Sequence, residues 1–118
     1  MKENIRKELL DRGLSDMLQL GEIAWIARRY LGVPVESAVM RAATEAIADL
    51  LNSGYAIVGD VVRDEGLLCV QSWGVSAAET IKRIEDEWRA LGHMPNLGEV
   101  CWLELTDAGR EEARTLAS

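Results

Sequence analysis

Catalysis needs side chains that move a proton, hold a metal or attack an electrophile, and this chain of 118 residues has few. Its single histidine, His93, stands between Gly92 and Met94 in a turn-like stretch. One histidine completes no Cys–His pair, no Ser–His–acid set and no zinc site, so His93 is expected to be a solvated loop residue. The two cysteines, Cys69 and Cys101, make neither a disulfide framework nor a metal motif. Both lie in apolar, strand-like runs, where buried free thiols are expected. The run Glu85–Asp86–Glu87 offers adjacent carboxylates. Neighbours on a helix point in different directions, so these acids do not face one another as an acid–base pair. Lys82 and Asp86, four apart, are instead placed to form a surface ion pair. Gly54, Gly59 and Gly66 lack the Lys–Ser/Thr sequel or the strand-to-helix setting of a phosphate loop. No catalytic residue, cofactor or metal is expected.

What remains is charge. Thirteen Lys and Arg face twenty Asp and Glu, a net charge of −7. Residues 1–33 hold six bases and five acids, so the excess negative charge falls in the rest of the chain. Such a balance repels phosphate backbones and attracts basic surfaces. The candidate partner-binding residues are therefore Glu36, Glu45, Asp49, Asp60, Asp64 and Glu65, with Trp73 as an aromatic anchor at a strand end beside Gly74. The alternative is that the acids serve solubility alone. No stretch approaches the roughly 20 apolar residues of a membrane span. The charged start "MKENIRKELLDRG" lacks the core of a signal peptide. A cytoplasmic protein with one domain, residues 1–118, is expected.

The elements that must position these acids can be read from periodicity. Lys2 to Arg12 forms a first helix with Ile5, Leu9 and Leu10 on one side and Gly13 as its stop. Asp16–Leu20 alternates briefly as a short strand. "GEIAWIARRYLG" repeats Ile23, Ile26, Ala27, Tyr30 and Leu31 at helical spacing, which draws Trp25 toward the interior, and Gly32 and Pro34 end it. The third helix, Val35–Ser53, sets Val39, Ala43, Ala46, Ile47, Leu50 and Leu51 on one face. Tyr55–Val62 reads as a strand, Arg63–Gly66 as a turn, and Leu67–Trp73 as an apolar run that either completes a hairpin or extends it. Ser76 and Glu79 form a capping box for a helix reaching Leu91, with Ile81, Ile84, Trp88 and Leu91 as its core stripe. A last strand around Val100–Leu105 leads to Thr106, the N-cap of a final helix, Asp107–Leu116.

That order resembles a winged helix-turn-helix, through "MLQL", "GEIAWIARRYLG", "VESAVMRAATEAIADLLNSGYAIVGD" and "WLELTDAGREEA". The resemblance implies an α+β domain with a short strand after the first helix, a third helix leading into a two-stranded wing, and here an extra helix, Ser76–Leu91, inserted in the wing. The helix that enters the major groove in DNA-binding members offers Arg, Lys, Asn or Gln. Here Glu36, Glu45 and Asp49 outnumber Arg41, and the wing region sets Asp60, Asp64 and Glu65 against Arg63. A second pattern is similar to small acidic immunity proteins of bacterial toxin–immunity systems. It runs through Trp73, Ser76, Glu79, Ile84, Glu87, Trp88, Gly92, Pro95, Gly98, Glu99, Val100, Trp102, Thr106 and Gly109. It implies a non-enzymatic inhibitor whose acidic surface covers a basic, nuclease-type toxin. The other function in view is a DNA-binding transcriptional regulator that dimerises through its first and last helices and uses Arg28, Arg29 and Arg41. Nucleic acid is expected not to be the partner.

Overall fold

The computed structural model describes residues 2–32 and 35–117. Five helices and four strands follow in the order α1 (Lys2–Gly13), β1 (Leu18–Gln19), α2 (Leu20–Leu31), α3 (Glu36–Asn52), β2 (Ala56–Asp64), β3 (Leu67–Ser72), α4 (Ala77–Leu91), β4 (Trp102–Leu105) and α5 (Asp107–Ala117). The chain is thus α+β. The strands form one antiparallel sheet in the order β1–β4–β2–β3. The sequence boundaries agree to within about two residues, the usual fraying of element ends. Pro34, expected to end α2, lies outside the described residues. Gly32 ends that helix in the left-handed conformation at φ 74°, its N–H bonding Arg28 O at 3.0 Å.

The core is aliphatic with one indole. Ile5, Leu9 and Leu10 from α1, Ile23 and Ile26 from α2, Ile47 and Leu50 from α3, and Ile84 and Trp88 from α4 are all fully buried in one cluster with Leu103 and Leu105 of β4. The periodic positions of α1, α3 and α4 supply this interior as their spacing requires. In α2 the stripe holds for Ile23, Ile26 and Ala27, but Trp25 is 52% exposed, against the expectation of burial. The reason is geometric. One residue is about 100° of helix, so Trp25 lies between the buried neighbours Ala24 and Ile26 and points away from the axis they share. Tyr30, counted on the same stripe, is exposed as well.

The Thr106 cap forms, and of the capping box at Ser76 the hydroxyl half forms while the Glu79 carboxylate bonds the hydroxyl instead of the Ser76 N–H. Glu79 N–H donates to Ser76 Oγ at 3.1 Å, and the Glu79 carboxylate accepts from that hydroxyl at 3.3 Å. Thr106 Oγ1 accepts from Gly109 N–H at 3.1 Å and donates to Gly54 O at 2.6 Å, which ties the start of α5 to the end of α3. Gly109 is required by packing. A Cβ there would lie 1.9 Å from Tyr55 O.

β2 and β3 form the hairpin, paired from Gly59–Ser72 out to Asp64–Leu67. The two loop residues Glu65 (φ 50°) and Gly66 (φ 82°) both take positive φ, the requirement of a type I′ turn. β4 pairs with β2 only from Ala56 to Gly59, so the outer half of the hairpin extends beyond it as a two-stranded arm. At Gly59 the strands cross so closely that a Cβ would meet Gln71 O at 1.8 Å. Glu104 of β4 accepts from Val70 N–H at 3.0 Å and lies 3.7 Å from Arg110, fastening β3 back to the sheet.

Candidate partner-binding surface

The six candidate acids do not share one face. Glu36 begins α3 and turns toward α4, where its Oε2 accepts from the indole N–H of buried Trp88 at 3.0 Å. Nine residues later Glu45 has turned through about half a circle from Glu36 on the helical wheel. Glu45 is exposed beside a shallow groove of about 360 Å³ lined also by Leu31, Ser37, Ala38, Arg41 and Ala42. Asp49 follows one turn further on the Glu45 side and is half-buried. Asp60, Asp64 and Glu65 belong to the hairpin, all exposed. One acid is thus bound to a core tryptophan, two flank α3, and three lie along the arm and its tip. Sequence spacing along α3 could have separated Glu36 from Glu45. Its bond to Trp88, fifty-two positions away, had no local signal.

The tip adds something that acidity alone did not reveal. Leu67 is 73% exposed and Leu68 54%. Successive strand residues point to opposite faces, so two adjacent leucines cannot both reach one core, and here neither does. That alternation was legible in "LLCV". The neighbouring cation, Arg63, donates through Nη1 to Gly66 O at 3.2 Å and is engaged with the turn itself. The tip therefore carries an exposed leucine on each face, Leu67 on the side of its pair Asp64 and Leu68 on the side of its pair Arg63, with Glu65 in the turn between the strands.

Trp73 is half-buried. The Arg83 guanidinium carbon sits 3.8 Å from its ring centroid, a cation–π stack with α4. Its indole nitrogen is buried without a hydrogen-bond acceptor among the described residues. The ring is thus built into the α4 face rather than standing free as an anchor. Arg83 in turn bonds Glu87 at 2.7 Å, and Lys82 bonds Asp86 at 2.7 Å, so two carboxylates of Glu85–Asp86–Glu87 are occupied in separate helix pairs.

Cys101 is buried, and burial pushes its thiol up to about 12, with the carboxylates of Glu87 and Asp60 adding to the rise. It stays protonated at neutral pH and is a poor nucleophile. Cys69, expected to be buried, is half-buried, because its strand belongs to the arm and packs on one side only. His93 is exposed, with Nδ1 2.7 Å from Met94 O and 4.0 Å from Glu99 Oε1. The loop it opens contains a strained residue. Val100 has φ 71°, and Cys101 N–H bonds Glu99 O at 2.9 Å across it, the pattern of a γ-turn. Among the described residues no group of three or more His, Cys, Asp or Glu is arranged to hold a metal ion. Among them, too, no helix is long and apolar enough to cross a membrane.

A second surface went unforeseen. Glu8 of α1 gathers Arg12 (2.8 Å), Arg29 and the Tyr30 hydroxyl (2.8 Å), while Arg12 also reaches Glu22 at 3.1 Å. Partial burial by itself would raise the Glu8 carboxyl. The bonds from Tyr30 and Arg12 and the charges of Arg29 and Arg12 outweigh it and hold the group below the ordinary glutamate value. Exposed Trp25 has both guanidiniums near its ring, that of Arg12 at 5.9 Å and that of Arg29 at 5.0 Å from its centroid. A helical wheel centred on Trp25 carries the signal, since Glu22, Arg28 and Arg29 surround it.

The chain matches no family model, no curated protein and no solved structure.

Proposed function

We propose that this protein is a non-enzymatic protein-binding module on a winged helix-turn-helix-like scaffold, and most concretely an immunity protein that neutralises a basic, nuclease-type toxin. The scaffold reading draws support from the order β1–β4–β2, with α3 running into β2. In that reading β2 and β4 are the two wing strands, and β3 with α4 is the inserted segment. The binding reading rests on one observation: the hairpin tip exposes a leucine on each face, Leu67 beside Asp64, with Glu65 in the turn and Arg63 bonded to Gly66 O. A tip built to track DNA needs free cations against phosphate. A tip of leucines and carboxylates suits a cationic protein with an apolar recess. The carboxylates steer encounter and the leucines supply contact area. Glu45 on α3 extends the same sign of charge.

The experiment is a calorimetric titration of the purified chain against the basic protein encoded beside its gene. It is paired with a mobility-shift assay on its own upstream DNA at about 50 mM salt. Submicromolar protein binding and no DNA shift are expected. Replacing Asp64 and Glu65 together by Lys should weaken the protein complex by roughly 10-fold or more. DNA retardation that fades steeply with added salt, or protein binding untouched by the double replacement, overturns the proposal.

A further inference from the structure

The outer side of α2 has a charge order with a symmetry of its own. The inner side buries Leu20, Ile23, Ala24, Ile26 and Ala27. Outward, Glu22, Trp25, Arg28 and Arg29 recur at steps of three and four. Trp25 stands in the middle, with the acid toward the N-terminal end and the two bases toward the C-terminal end. Arg29 and Arg12 are fixed over its ring by Glu8 and Glu22, so the indole is already held in place. A half-exposed Trp held beside arginines loses little entropy on contact and has the composition of an interface hot spot. Arg28 makes no ion pair among the described residues. Leu97, 80% exposed, belongs to the loop whose Pro95 and Asn96 carbonyls lie against Gly21 and whose Gly98 N–H donates to Gln19 Oε1 at 2.7 Å. It therefore stands near the N-terminal end of the same stripe.

When two such helices meet antiparallel across a two-fold axis at Trp25, residues equally spaced on either side of it come opposite one another. Glu22 and Arg28 are each three positions from Trp25. Each Glu22 then comes to the basic end of the partner helix, where Arg28 and Arg29 stand, and the two indoles meet at the axis. We propose that the protein forms a two-fold symmetric dimer through this face of α2. Charge selects the second copy as the occupant. At −7 the chains repel one another in general, and this stripe is a place where like surfaces attract. The inference is independent of the toxin reading, since it uses none of the hairpin residues.

Sedimentation of the full chain from about 1 to 200 μM tests it, with circular dichroism to confirm that each variant is folded. A species of twice the 13.1 kDa chain mass should appear as concentration rises. Trp25→Ala should weaken dimerisation by roughly 30-fold or more. Arg28→Glu should weaken it by about 10-fold, because it sets a carboxylate at the end of the helix that meets Glu22 of the partner subunit. Trp25→Cys should form an intersubunit disulfide on mild oxidation, and Arg63→Cys on the hairpin should not. A monomer throughout that range overturns the proposal. So does a dimer indifferent to Trp25→Ala or to Arg28→Glu, or a dimer lost on Leu68→Lys but kept in Trp25→Ala.

Discussion

Glu36 separates structural from interfacial acidity, and its removal should be measurable as stability. It is the first residue of α3, and its carboxylate accepts the indole N–H of Trp88, a side chain with no exposure to solvent. Truncation to Ala orphans that donor. A buried unsatisfied group costs about 1–3 kcal/mol. The carboxylate sits in an open groove of about 460 Å³ lined also by Ser37, Met40, Arg41 and Arg89, so water can reach the indole and the lower half of that range applies. Loss of a negative charge from the first turn of α3 adds about 0.3–1 kcal/mol. The sum is about 1.3–3 kcal/mol, or a fall in Tm of roughly 4–15 °C for a chain of this size. Glu36→Gln keeps an acceptor and loses only charge, so about 1 kcal/mol is expected. Thermal and urea unfolding of the two variants beside the parent measures the difference. If Ala and Gln are equally destabilised, the bond to Trp88 contributes nothing and the argument fails. The same pair should leave partner affinity unchanged, because Glu36 faces α4 and not the hairpin.

Gly109→Ala should cost more than about 3 kcal/mol, since its Cβ would fall 1.9 Å from a backbone oxygen that no rotamer change can move; a melting curve within a few degrees of the parent would refute this. The lowered carboxyl of Glu8 stabilises the fold in full above 4.5, its unperturbed value, and that stabilisation is lost as pH falls below it through the folded value. Glu8→Gln should therefore lower stability at pH 7 and flatten its decline in acid, and an unchanged pH profile by urea unfolding would show that the network contributes nothing.

The helices and caps were legible because their determinants are local. Ser76 and Glu79, or Thr106 and Gly109, lie within one turn of each other, and a stripe such as Ile84–Trp88 repeats within one helix. The α+β class followed from those elements. What sequence left open was non-local. The pairing of β1 with β4 joins residues more than eighty positions apart, and Glu104 reaches Val70 from another strand. Trp25 was misplaced for a different reason. Its apolar character suggested burial, whereas its angular position, set by Ala24 and Ile26, decides its exposure. The acids were found by type, but type carries no direction, so one expected surface became three placements.

Charge order distinguishes the two outward surfaces more sharply than their apolar content. Both present large side chains to water, Leu67 and Leu68 at the hairpin tip and Trp25 on α2. At the tip the neighbouring Asp64 and Glu65 have one sign. Two copies brought together on the Leu67 face would set carboxylate against carboxylate, so that leucine is guarded from self-association and left for a cationic surface. On α2 the acid and base stand on opposite sides of the indole, and a two-fold rotation turns that order into attraction. The same chain can thus hold one apolar site for a foreign partner and another for itself. Inverting Arg28 alone weakens the second site, whereas inverting Asp64 and Glu65 changes which partner the first accepts.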